Sequence, residues 1–167
     1  MDEIHLNPQG LPLLSGNFNI RVYGILMDSS KRILVSDEFI RGNYFTKFPG
    51  GGLEFGEGTR ECLKREFKEE TCLDVTIGEH LYTTDFFQIS AFNNRDQIIS
   101  IYYSVHVEEP ISLITKTALF DFEAHQTVDP HGEAEVFRWI EWNTLNEECV
   151  SLPIDKIVVK MIKQKLD

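Results

Sequence analysis

The chain is poor in cysteine and in positive charge, and it has no long apolar run. Its three cysteines, Cys62, Cys72 and Cys149, make no CxxC pair. So sparse and odd a set excludes a disulfide framework and argues against cysteine-held zinc. No apolar stretch approaches the roughly 18 residues of a membrane span. The first ten residues, MDEIHLNPQG, are acidic and lack the basic and apolar segments of a signal peptide. An intracellular, reduced, cytoplasmic protein is expected. Sixteen Lys and Arg against 27 Asp and Glu leave a formal net charge of −11. That balance disfavours a general binder of DNA or of anionic membrane. It does not exclude a phosphate substrate, because a bound divalent cation can invert the local field.

Repeats, low-complexity tracts and Ser/Gly linkers are absent too. What remains is an ordinary globular composition, 42% apolar and 26% charged over 167 residues. One domain, 1–167, is expected, large enough to bury a core without staples. Residues 1–16 carry turn formers and read as an arm. Strands are predicted over 18–28, where Ile20, Val22 and Gly24 alternate, over 32–40, and over 44–48. Pro49-Gly50-Gly51-Gly52 then marks a tight turn, or a place where the backbone approaches something closely. Residues 57–71 predict a helix with Leu63 and Phe67 on its buried stripe. A strand or two follows within 73–88.

From 99 to 107 the pattern alternates. Ile99, Ile101, Tyr103, Val105 and Val107 face one way, and Ser100, Tyr102, Ser104 and His106 the other. That predicts a half-buried strand, paired in a hairpin with the FFQI segment before the SAFNNRDQ loop. Residues 110–134 read as irregular and FRWIEW (137–142) as a last strand, with Trp139 and Trp142 on opposite sides. Pro153 opens a C-terminal helix, about 152–166, with Lys156, Lys160 and Lys163 solvated. A mixed sheet covered by helices, an α/β fold, follows.

The chemistry concentrates in PGGGLEFGEGTRECLKREFKEETCL (49–73). At about 100° per residue, Glu66 and Glu70 lie about 40° apart, and Glu69 lies about 60° to the other side of Glu66. Three carboxylates on one helix face repel one another by a few tenths of a kcal/mol per pair. A solvated acidic face, partly paired with Lys64, Arg65 and Lys68, is one reading. A face that holds a hard divalent cation is the other.

The spacing weighs on the second side. Gly51, five residues, Glu57, seven residues, then Arg65-Glu66-Phe67-Lys68-Glu69-Glu70 resembles the Nudix box. The single departure is Cys72, where the box has Gly, followed by the expected apolar Leu73. The resemblance implies a Nudix-type α/β/α sandwich with a mixed sheet. It implies a pyrophosphohydrolase that uses Mg²⁺ or Mn²⁺ to cleave the diphosphate of a nucleoside diphosphate linked to another group. Its partner would be a nucleotide-derived small molecule, not nucleic acid or membrane, and a homodimer is left open.

By that resemblance, metal ligands fall on Glu66, Glu69 and Glu70, with Glu57 in support and a backbone carbonyl from Gly50 or Gly51. Arg65 would orient the carboxylates. Glu69 is the candidate base, with Glu133 and Glu135 as candidates outside the box, Glu135 also as a metal ligand. Gly at position 72 would end the helix in a left-handed conformation, so Cys72 either bears that strain or the helix ends differently.

Arg21 and Lys47 are candidates to face phosphates, against the simpler reading of surface cations. Phe87, among Tyr82, Phe86 and Phe92, is the candidate stacking residue, against simple core packing. The upstream signature of the CoA-specific members is absent, and Phe87 and Gln88 stand where ADP-ribose hydrolases carry Pro. The SQPWPFP of the NADH pyrophosphatases is missing too. Nucleoside triphosphates, nucleotide sugars and dinucleoside polyphosphates stay open. The alternative class is a catalytically silent nucleotide-sensing module of the same fold, for which damaged box carboxylates would be expected.

Overall fold

The computed structural model describes residues 16–166; the predicted arm lies almost wholly outside them. The order is β1 (Phe18–Leu26), β2 (Arg32–Ile40), β3 (Asn43–Lys47), β4 (Gly50–Gly52), α1 (Thr59–Thr71), β5 (Thr76–Thr83), β6 (Gln97–His106), β7 (Glu133–Glu141) and α2 (Pro153–Leu166). One sheet runs β4-β1-β6-β5 and the other β3-β2-β7. The first is mixed, with β1 and β6 parallel and its other pairs antiparallel. The second is antiparallel throughout.

Side-chain alternation divides the core in two. On β1, Tyr23 and Ile25 face one side, where Ile33, Val35 and Tyr102 join Ile154, Val158, Val159 and Ile162 of α2. Val22 and Leu26 face the other, where Leu34 and Val105 join Cys62, Leu63 and Phe67 of α1. Each helix thus covers an opposite face, which is the expected sandwich. Leu63 and Phe67 are fully buried, and each such side chain contributes roughly 1.5–3 kcal/mol. Gly24 falls in the β1 alternation because Phe67 needs its place. A Cβ there would lie 2.7 Å from Phe67 Cε2 and 2.6 Å from Val105 Cγ2.

Two expectations are corrected. The glycines at 50–52 form a strand against β1, with Gly51 opposite Val22, rather than a turn. Close approach, the other reading of those glycines, is what they provide. β6 is not half-buried: Ser100 and Tyr102 are as enclosed as Tyr103 and Val105. It lies between β1 and β5 with cover on both faces, so alternation there separates two interiors rather than interior from solvent. Its hairpin partner is β5, and the FFQI segment contributes one bridge, Ile89 to Gln97.

The two tryptophans do part: Trp142 packs on the α2 side and Trp139 on the α1 side. Lys163 is not simply solvated, since its Nζ donates to the Trp142 carbonyl at 2.9 Å. Helix α1 ends as the box glycine foretells. Cys72 takes φ 59° and ψ 8°, and its N–H donates to the Lys68 carbonyl at 3.1 Å. No helix among the described residues is long and apolar enough to cross a membrane.

Candidate active site

Phe67, Leu63 and Cys62 pin one face of α1 to the sheet. Glu66 and Glu70 project from the same sheet-facing side of α1, at the margin of that apolar stripe toward β4, and Arg65 organises Glu57, Glu66 and Glu69. Its Nε and Nη2 grip Glu57 at 2.9 and 2.6 Å, and Nη1 reaches Glu66 at 2.8 Å and Glu69 at 3.3 Å. Nη2 also donates to the Gly52 carbonyl at 3.1 Å. One guanidinium therefore ties β4, the loop before α1 and α1 itself. Hydrogen bonding from Arg65, then from the Glu54 backbone, pulls the Glu57 carboxyl down to about 2. The Cys62 thiol donates to the Gly52 carbonyl, and burial, then Glu57, pushes it up to about 12. It is no nucleophile.

Beyond this clamp opens a cleft of about 600 Å³ walled by Arg21, Glu38, Lys47, Gly50–Gly52, Glu66, Glu70, Glu133 and Glu135, among others. Glu66 lies directly over Gly51, where a Cβ would come within 2.5 Å of both its carboxylate oxygens. The ladder hydrogen bonds Gly24 N–H to Pro49 and Leu53 N–H to Ile20 flank Gly51. Its carbonyl therefore belongs to the β1 ladder, and those of Gly50 and Gly52 turn outward. The Gly50 carbonyl accepts from Lys47 Nζ at 3.3 Å, and that of Gly52 from Arg65.

Glu70 has a buried Oε2 with no hydrogen-bond partner. Burial, then the charge of Glu135, holds its carboxyl well above the ordinary carboxylate range. Glu135 sits on β7 opposite Glu38 of β2 and accepts from Ser36 Oγ. Burial raises it too. Lys47 Nζ pairs with Glu38 at 2.7 Å. Burial pulls the ammonium down, but Tyr23 and Glu38 outweigh it and keep it above lysine's usual value. Lys47 is thus a buried cation and not a surface one.

Arg21 also faces the cleft, with Nε on the Tyr23 hydroxyl at 3.2 Å. It forms the wall shared with a smaller, mostly apolar pocket lined by Tyr23, Phe92, Ile98, Tyr102, Ile154 and Asp155. Asp155 is fully buried and accepts from Tyr102 Oη at 2.5 Å, while its Oδ2 has no partner. Burial pushes its carboxyl up to about 7.

The structure therefore brings together Glu66, Glu70, Glu133, Glu135, Gly51, Arg21 and Lys47 of the expected residues at the cleft, sets Arg65 behind Glu66, and leaves three apart. Glu57 is spent on Arg65. Glu69 is exposed on the far side of Glu66 and paired with Arg65. Phe87 is exposed and lines neither cavity, whereas Phe92 lines both. Phe86 is exposed likewise, so core packing does not describe it. Sequence reasoning missed Glu38, Ser36 and Asp155. A signal for the first two is the polar triplet Ser36-Asp37-Glu38 inside a strand otherwise apolar from Ile33 to Ile40. Asp37 in that triplet is structural, gripped by Arg138 at 2.8 and 3.0 Å.

No three His, Cys, Asp or Glu side chains among the described residues are already gathered into a metal cage. The donors at the cleft still suit a hard cation. They are all oxygens, and one is a buried carboxylate atom without a partner.

The NUDIX-domain model matches residues 17–161, and the chain belongs to the Nudix family, with the class of a Nudix hydrolase. Hydrolases of this family generally use divalent metals. The fold is similar to that of the MutT protein from Methanosarcina mazei Go1, at 16% identity and TM-score 0.63, covering 92% of this chain and 99% of that one. It is also similar to the mutator MutT protein from Bacillus halodurans, at 19% identity and TM-score 0.59, covering 87% and 82%. The solution structure of the E. coli ORF135 protein matches at 19% identity and TM-score 0.57, covering 90% and 91%.

Proposed function

We propose that the protein hydrolyses a diphosphate bridge in a nucleoside diphosphate linked to another group, with Mg²⁺ or Mn²⁺ as cofactor. The observation that carries this reading is the partnerless buried oxygen of Glu70, in a cleft shared with Glu66, Glu38 and Glu135. An acidic cleft repels an anionic substrate unless a cation lies between them. Glu66 and Glu70 are the donors we assign to that cation, with Glu135 from the opposite wall. Such an ion neutralises phosphate charge and makes water a better nucleophile.

The chain's own groups do the rest. Arg65 fixes the direction of Glu66 without entering the cleft. Arg21 is placed to hold a phosphate oxygen where the cleft meets the apolar pocket. That pocket suits the group beyond the phosphates, with Phe92 at its rim and the free oxygen of Asp155 as an acceptor for an N–H or O–H. With Glu135 on the ion and Glu38 on Lys47, Glu133 is the remaining cleft carboxylate outside the box, and it suits a base better than Glu69, which is turned to Arg65.

The test is a hydrolysis screen of nucleoside triphosphates, nucleotide sugars, ADP-ribose, dinucleoside polyphosphates and dinucleotide cofactors, with Mg²⁺ or Mn²⁺ and an EDTA control. Cleavage of one class that EDTA abolishes is expected. Silence across the panel, with Mn²⁺ still bound, would instead favour a sensing module.

A further inference from the structure

Lys47 occupies an unusual place for a lysine. It is buried on β3, and it lines a cleft whose other charged walls are mostly carboxylates: Glu38, Glu66, Glu70, Glu133 and Glu135. Two other cations line that cleft, and neither is ion-paired to it. Arg21 turns to the Tyr23 hydroxyl, and Arg41 makes no salt bridge among the described residues. Lys47 Nζ lies 2.7 Å from Glu38 Oε1 and 3.3 Å from the Gly50 carbonyl oxygen. A carboxylate and a backbone carbonyl are the donors a hard divalent ion would choose. The ammonium thus sits in an oxygen cradle that a metal could otherwise use.

The cradle is built and not incidental. Glu38 stands opposite Glu135 in the β2–β7 register, so two carboxylates meet across the strands there. Like charges directly opposite in a sheet destabilise it. Two devices offset this: Ser36 Oγ donates to Glu135, and Lys47 pairs with Glu38. The Tyr23 ring, with its centre 5.5 Å from Nζ, closes one side of the ammonium. A divalent ion entering at Glu38 would meet a positive charge already in place.

We infer that Lys47 is a resident cation of the cleft. It fills the position beside Glu38, so the cleft takes one divalent ion fewer than its carboxylates could hold. Glu38 is then a partner of the ammonium and not a metal ligand. On that side, a fixed positive charge in place of an exchangeable one meets the phosphates. The inference rests on the proposed divalent-cation site at Glu66 and Glu70 and adds a limit on how many ions join it.

The experiment is a Mn²⁺ titration of the full chain, with free Mn²⁺ read by electron paramagnetic resonance, so no substrate or turnover is needed. Wild type is compared with Lys47→Met, Glu38→Gln and the double variant. Lys47→Met is expected to bind one Mn²⁺ more than wild type, and the double variant to lose that extra site. Glu38→Gln alone is expected to leave the wild-type number unchanged. An unchanged number in Lys47→Met, or one ion fewer in Glu38→Gln, would overturn the inference. If Lys47→Met fails to fold, Glu38→Gln alone decides. Should wild type bind no Mn²⁺ while Lys47→Met binds one, the inference stands and the proposed cofactor falls. No binding by either removes both.

Discussion

Gly51 leaves open the space that the Glu66 carboxylate fills, with both oxygens 2.5 Å from where a Cβ would stand. The strand and the helix approach so closely at this point that the side chain of one is the missing side chain of the other. Gly51→Ala must therefore move Glu66 or separate β4 from α1. A displacement of about 1 Å in a positioning group can cost about 100-fold in rate. A loss of at least that size in kcat is expected, with circular dichroism showing the helices retained. Unchanged kcat would mean that Glu66 is free to move without harm.

Glu70→Gln keeps the shape and removes the charge. Turnover is expected to fall at least ~100-fold at saturating Mg²⁺, since a carboxylate proposed to hold the catalytic ion is lost. Near wild-type rates would take Glu70 out of the metal site.

The raised carboxyls give stability a definite slope with pH. Without metal, folded Glu70 and Glu135 keep protons that the unfolded chain has already lost. Asp155 does the same up to about pH 7. The folded state thus binds more protons across the window from the ordinary carboxylate value to these raised ones. Stability contributed by these groups falls as pH rises through it. Glu57 acts oppositely, but only toward pH 2. Urea unfolding of EDTA-treated protein is expected to show lower stability at pH 8 than at pH 5. Mg²⁺ should restore more at pH 8, and Glu70→Gln should flatten the slope. A metal-free protein that gains stability between pH 5 and pH 8 would contradict this account.

Cys72 bears the left-handed conformation that the box reserves for glycine. Replacing it relieves a cost of about 1 kcal/mol. Cys72→Gly is expected to keep activity and to raise the unfolding free energy by up to that amount. A lower Tm would show that the thiol side chain contributes more than its backbone costs.

Much of this was legible in the sequence, for physical reasons that can be named. Helix α1 could be bounded because no Gly or Pro interrupts 59–71 and the box spacing marks its end. Glu66 and Glu70 could be paired because helical periodicity is local. What stayed hidden depended on partners distant in the chain. Glu38 reaches the cleft in register with Glu135, 97 residues later, and Asp155 meets Tyr102 across 53 residues. Glu69 illustrates the converse. Its spacing suits a ligand, but Arg65 lies on its side of the helix and draws it outward. Phe87 and Phe92 could not be told apart by composition, since only the path of the loop decides which ring reaches the cavity.

The cleft is also a seam. Glu66 and Glu70 ride on the helix backed by the mixed sheet, whereas Glu135 belongs to an edge strand of the antiparallel one. A cation shared between them would work as a fastener across two layers that otherwise meet through apolar packing. Loading the site would then tighten β7 against α1 from a distance, slowing amide exchange along a strand whose backbone never touches the ion.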